Sequence, residues 1–223
     1  MPVGRTIQPN ELAAFSSEIP GMEEKRRWAL YDRIVYAAAA TLSGDQSLFS
    51  TPIGQGTTAK TLLDTDMRQS GQLPARQGFE VWDIRIQPQL TVVSGDVSVV
   101  PVNDLADAFN SIIYGGSFVF RQSQKVDLEL APLAILCAGY GATGVTWGSA
   151  NITAAATAGA GSMIFSNGLQ GKSSLWDLDP LPIIILPQRS FSVTLNFPTA
   201  IVLPTGVGLN LWCHLDGILH RSA

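Results

Sequence analysis

Four runs of alternating side chains, each ended by proline, glycine or charge, set the strongest limit on how this chain can fold. Phe191, Val193, Leu195 and Phe197 alternate with Ser192, Thr194 and Asn196 before Pro198 closes the run. Val207, Leu209, Leu211, Cys213 and Leu215 alternate with Gly208, Asn210, Trp212 and His214. Trp82, Ile84 and Ile86 alternate with Asp83, Arg85 and Gln87, and Val126, Leu128 and Leu130 with Asp127 and Glu129. A period of two puts apolar side chains on one face of a strand and polar ones on the other. Shorter candidates cover 48–53, 90–93, 97–100, 117–121 and 181–186. Prolines 88, 101, 132, 180, 182, 187, 198 and 204 fall mostly at the ends of these runs, where a missing N–H costs little. Many short strands separated by turn signals describe an all-β antiparallel sandwich or barrel.

Two segments depart from this period. Trp28, Tyr31, Val35, Ala38 and Leu42 recur at spacings of three and four, widened by Leu30 and Ile34, which predicts an amphipathic helix over 22–42. Pro20-Gly21 and Ser43-Gly44 punctuate its ends. The domain plan expected is therefore an N-terminal arm and helix at 1–44, followed by a β-sandwich at 45–223. A second, short helix is expected where Asn103 caps a stripe of Leu105, Phe109, Ile112 and Ile113 that stops at Gly115-Gly116. Residues 139–161 are mostly Gly, Ala, Thr and Ser and read as a long loop.

Composition excludes several function classes. Hydrophobic residues make up 46% and charged ones 14%, so the chain can bury a large core and is not of disordered type. A net charge of −4 argues against a surface that attracts polyanions everywhere. Within the first forty residues Arg5, Lys25, Arg26, Arg27 and Arg33 are balanced by Glu11, Glu18, Glu23, Glu24 and Asp32. Counterion release then gives that arm little affinity for nucleic acid, and Lys25-Arg26-Arg27 reads as the salt-bridged surface of a helix. No apolar run reaches the length of a membrane span, and the opening Met1-Pro2-Val3-Gly4-Arg5 lacks the apolar core of a signal peptide.

Candidate chemistry is sparse. Gly139-Tyr140-Gly141-Ala142-Thr143-Gly144 fits the dinucleotide-binding glycine pattern, yet no helix start follows it and no acid lies between Glu129 and Asp177 to hold a ribose. His214 and His220 are the only histidines, and with Cys137 and Cys213 they lack the spacing of a structural zinc site. Both histidines are expected to face solvent on the last strand. Asp64 with Asp66, and Asp177 with Asp179, are i,i+2 carboxylate pairs without a calcium-loop pattern, so loop solvation is their expected role. No nucleophile elbow is present. The chain is thus expected to be non-enzymatic, with no cofactor and no metal. Trp28, Tyr31 and Val35 are the expected subunit-contact residues, an aromatic stripe on a neutral arm.

The order of these elements resembles the single jelly-roll capsid proteins of icosahedral viruses, tailless bacteriophages and related viruses among them. The resemblance is carried by Leu181-Pro182-Ile183-Ile184-Ile185-Leu186-Pro187-Gln188-Arg189-Ser190-Phe191-Ser192-Val193-Thr194-Leu195-Asn196-Phe197-Pro198, similar to an adjacent strand pair. The ending Leu215-Asp216-Gly217-Ile218-Leu219-His220-Arg221 is similar to a terminal coat-protein strand, and 71–81 to a loop feeding an early strand. It implies a viral structural protein that self-assembles with copies of itself and other virion proteins into a capsid shell or vertex. Its place would be the virion, assembled in the host cytoplasm. The neutral arm departs from the basic arm of many such coats, which suits it to subunit contacts rather than genome packaging. The other reading is a carbohydrate- or receptor-binding β-sandwich of a phage particle, with Trp147 and Trp176 as stacking platforms.

The alternation at 191–197 predicts that Val193→Asp abolishes soluble folding while Thr194→Asp, on the polar face, is tolerated outside a subunit contact. Expression yield and thermal melts of the two variants decide this; equal effects would mean that both faces of the strand are buried.

Overall fold

The computed structural model describes residues 22–92, 102–122, 129–136, 176–179 and 181–222. The expected arm at 1–21, the strand at 97–100, the start of the run at Val126 and the glycine-rich stretch 139–161 lie outside the described residues. In chain order the elements are β1 (Met22–Tyr36), β2 (Thr41–Leu48), β3 (Gln77–Val92), α1 (Val102–Gly115), β4 (Ser117–Gln122) and β5 (Glu129–Pro132). Then come α2 (Leu133–Leu136), β6 (Trp176–Asp177), β7 (Ile183–Ile185), β8 (Phe191–Val202) and β9 (Val207–Ser222). They form two antiparallel sheets. One is ordered β1-β9-β3, with β6 and β7 both beside β3; the other is ordered β2-β8-β4-β5. The all-β expectation holds, and α1 is the short inserted helix, ending at Gly115 as expected.

The expected N-terminal helix is absent: residues 22–36 and 41–48 are strands. The same residues that match a spacing of three and four also match a spacing of two. Leu30, Asp32, Ile34 and Tyr36 lie opposite Leu215, Cys213, Leu211 and Leu209 of β9 and face the core. A long strand partner supplies hydrogen bonds along one whole side of β1 and a buried face, which outweighs the modest intrinsic helix preference of an apolar segment. The boundary expected at Ser43-Gly44 falls inside β2, so residues 22–44 are built into both sheets rather than attached to them as an arm. The turn between the strands closes with the Ala40 amide donating to the Ala37 carbonyl at 3.2 Å.

The core lies between the sheets. Phe79, Val81, Ile84, Ile86, Leu209, Leu211 and Leu215 of the first sheet meet Leu42, Leu48, Phe118, Phe120, Val193, Leu195 and Phe197 of the second, all buried. Ile112 and Ile113 of α1 and Leu133 and Leu136 of α2 join this cluster. Two prolines stand within strands rather than at their ends, and in both places the ladder is incomplete. Pro88 follows the part of β3 that pairs with β6 and β7, and Pro198 sits where the β2–β8 register shifts between Leu42 and Gly44. Bulges and one-sided strands are where a residue without an N–H fits a sheet.

Thr194 departs from the expectation of an open polar face. It pairs with Ser47 on one side and Val119 on the other, and both Thr194 and Val119 are 8% exposed. Thr194→Asp is therefore now expected to destabilise the fold as well, because a carboxylate there loses most of its water.

At Gly217 the neighbouring strand leaves no room for a Cβ. The glycine lies opposite Val81 beside the register shift at Val81/Asp83, and an added Cβ would stand 1.8 Å from the Glu80 carbonyl oxygen. Backbone cannot yield as a flexible side chain can. Gly217→Ala is expected to cost about 3 kcal/mol or more, measured by urea denaturation. Val202→Ala, at a position 66% exposed, should stay within about 0.5 kcal/mol of wild type.

Candidate functional site at the edge of the first strand

β1 pairs with β9 along one side, and its other side is met by the segment that follows β2. Asp32 and Thr65 form a bridge, the Arg33 amide donates to the Asp64 carbonyl at 2.9 Å, and the Asp66 amide donates to the Tyr31 carbonyl at 3.2 Å. This short clasp covers an edge that would otherwise present free N–H and C=O groups to other chains.

Three aspartates hold the clasp. Asp32 is fully buried; one of its oxygens is 2.5 Å from Lys60 Nζ and the other accepts the Phe49 amide at 2.6 Å. Burial raises the Asp32 carboxyl pKa, while Lys60 and the Phe49 amide work against that rise. Phe49 has a φ of 60°, in the left-handed region that a bulky residue avoids. The charge-assisted bond from its amide to Asp32 helps offset that strain. Asp64 accepts from the Thr61 amide and hydroxyl, both at 2.7 Å, and pairs with Arg33 at 2.5 Å. Burial opposes ionisation there, but the Thr61 donors and Arg33 hold the Asp64 carboxyl below its usual range. Asp66 accepts Trp28 Nε1 and the Tyr31 amide, each at 3.1 Å, and burial, aided by the charge of Asp32, lifts it to about 6. The pair expected to be solvated in a loop is instead bonded into the sheet edge.

The residues expected at a subunit contact all lie on β1 but do not share a face. Tyr31 and Val35 point to the outer face of the first sheet, and Trp28 to the opposite side with Leu30. The helical stripe that united them does not exist in a strand of period two. Tyr31 Oη donates to the Leu62 carbonyl at 2.5 Å and Trp28 to Asp66, whereas Val35 is 60% exposed. Beside Trp28 opens a cleft of about 410 Å³, bounded by Arg26, Asp66, Arg68, Gln72 and Gln77. Arg26 lies over the Trp28 ring at 4.8 Å, so the basic cluster sits on a strand and not on a salt-bridged helix.

Neither histidine is simply solvent-facing. His214 is half-buried on the outer face, its ring stacked on Trp212 at 5.9 Å and 15° and lying 6.4 Å from Tyr31. Arg33 covers the Trp212 ring at 5.0 Å. His220 is buried, with Nε2 2.9 Å from Glu80 Oε1. Cys213 is buried in the core; Cys137, Trp147 and the 139–144 glycine hexapeptide lie outside the described residues. Asp177 lies on β6 and accepts the Asp179 amide at 2.9 Å, a local turn contact. Among the described residues no three His, Cys, Asp or Glu side chains group closely enough to hold a metal ion. Sequence reading missed Asp32, Lys60 and the cleft, whose members come from β1, the clasp and the segment after it, the start of β3 and the end of β9. The one available signal was a lone Asp in an otherwise apolar period-two run.

Two measurements probe this region. Asp32→Ala is expected to cost about 3–5 kcal/mol in urea denaturation, because Lys60 and the strained Phe49 amide lose their acceptor. Replacing both partners, Asp32→Leu with Lys60→Met, should cost less than the sum of the single changes. The second concerns His214, whose pKa burial and the charge of Arg85 push down to about 4. A depressed histidine contributes stability above its unfolded pKa near 6.5 that is lost as pH falls towards 4. His214→Gln should therefore reduce the stability loss between pH 7 and pH 4.5 by about 1–2 kcal/mol, the partial exposure of the ring limiting the effect.

Comparison with family models, with curated proteins and with solved structures finds no match to this chain.

Proposed function

We propose that this chain is a non-enzymatic structural protein, a single jelly roll that assembles with copies of itself into a closed shell or a shell vertex. The observation that carries the reading is the strand order. Sheet β1-β9-β3, with β7 and the two-residue β6 both beside β3, faces β2-β8-β4-β5, and the first described strand lies beside the last. Apart from the two-residue β6, each sheet has four strands, and this order with crossovers between the sheets supports the jelly-roll reading. The same architecture also serves lectins and cupins, so the assembly reading rests on surface chemistry as well.

That surface carries apolar side chains at two separate places. Leu62 and Leu63 project from the clasp at the β1 edge, and Tyr114 of α1 and Val202 of β8 stand beside a groove at another part of the molecule. Each is more than 60% exposed. Two unlike apolar patches suit heterologous contacts, which close into rings and shells when the rotation allows. Val35, on the outer face of the first sheet, adds to the exposed surface near the clasp. Copies of itself and other virion proteins are the proposed partners, with no cofactor or metal and no strong direct contact to nucleic acid. The proposed location is the virion, after assembly in the host cytoplasm. No helix among the described residues is long and apolar enough to cross a membrane.

Native mass by light scattering and negative-stain imaging test the proposal. The wild-type chain should form a large, regular homo-oligomer. Leu63→Glu with Val202→Glu should shift it to small species while the cooperative melt is kept, since neither side chain lies in the core. A wild-type protein that remains monomeric up to millimolar concentration overturns the reading.

A further inference from the structure

We infer that the cleft beside Trp28 is a binding site for an acidic sugar, a pyranose ring bearing a carboxylate. Its wall joins three kinds of group that such a ring requires. Trp28, 37% exposed and covered on one side by Arg26 at 4.8 Å, offers its remaining aromatic surface to the C–H face of a sugar. Arg26 and Arg68 offer positive charge for the carboxylate. Arg68 is exposed and makes no ion pair among the described residues, whereas Arg221, also on the wall, is held by Glu24 at 2.7 Å. Gln72 and Gln77 supply amide donors and acceptors for hydroxyls.

Asp66 decides between classes of anion. Its oxygens already accept Trp28 Nε1 and the Tyr31 amide, so the carboxylate is fixed in place. Asp66 also lines the cleft, and a carboxylate has about four acceptor positions, more than these two bonds use. A sugar ring supplies hydroxyl donors. A phosphate dianion supplies at most one and, with twice the charge of a uronate, is repelled more strongly by the same carboxylate. The cleft wall counts three arginines against one aspartate, in a chain whose net charge is −4. A cavity of about 410 Å³ is in the range of sites that take one or two sugar-sized rings. The inference does not depend on self-assembly.

The test is calorimetric titration of the purified full chain with glucuronic acid, a glucuronic acid tetramer, a glucose tetramer, adenosine monophosphate and inorganic phosphate. Light scattering on the same samples reports assembly separately, so failure of one proposal is not read as failure of the other. Both uronates should bind, the glucose tetramer at least tenfold more weakly. Equal affinity for monomer and tetramer would assign a single-ring site, and a tighter tetramer a polysaccharide chain; either supports the inference. Arg68→Ala should weaken uronate binding at least tenfold with an unchanged circular dichroism spectrum, whereas Arg27→Ala, an exposed arginine outside the cleft, should not. No uronate binding by the folded wild type overturns the inference. So does equal binding of glucose and uronate, tighter binding of the nucleotide or phosphate, or full affinity in Arg68→Ala.

Discussion

The pairing of β9 with both β1 and β3 is the constraint on which the rest of the fold depends. Once Val207–Ser222 is flanked on both sides, its backbone donors and acceptors are satisfied along almost its whole length. Its odd-numbered side chains from Val207 to Leu215 are then committed to the core. The register is fixed by that commitment, since a slip of one residue would turn the apolar set outward. The paired residues of β1 and β9, from Tyr36 with Leu209 to Met22 with Ser222, are far apart in sequence. Such non-local pairing carries a large loop-closure cost before it returns stability.

Closing β1 against β9 leaves the other edge of β1 open, and the chain meets it with buried charge. Asp32 sits in the middle of the apolar face of β1, where an unpaired carboxylate would be costly to desolvate. Lys60 and the Phe49 amide supply the missing partners, and both come from the segment after β2. The same contact holds Phe49 so that its ring packs 5.6 Å from Phe191, which in turn stacks on Phe120 at 6.0 Å. One polar anchor thus links the edge of the first sheet to the aromatic end of the core between the sheets. It also places Asp64 and Asp66, and with them the cleft at Trp28.

The proposed roles adjoin at Leu62, which is exposed on the clasp and also lines the cleft. Shell assembly draws on the exposed leucines of the clasp and on the apolar end formed by α1 and β8, while ligand binding draws on the groups beneath the clasp. Neither involves the buried histidine–glutamate pair at His220 and Glu80, which ties the end of β9 to β3 within the first sheet.

The alternating runs at 82–86, 191–197 and 207–215 determined, by themselves, that the chain is an antiparallel β protein and which residues of those runs enter the core. Period two is a local property, and a strand with one buried face must show it. The helix over α1 was legible for the same reason, as a stripe of period near 3.6 with a stop at glycine. Residues 22–42 were not, because an apolar segment with Trp28, Leu30, Tyr31, Ile34 and Val35 satisfies both periods. Only the presence of β9 as a partner makes it a strand. Thr194 likewise looked polar and open, and only its place between β2 and β4 closes that face. The clasp and the cleft join residues 26–32 with 60–77 through one buried carboxylate. No local pattern encodes such a contact, since its free energy exists only when distant segments have already been brought together.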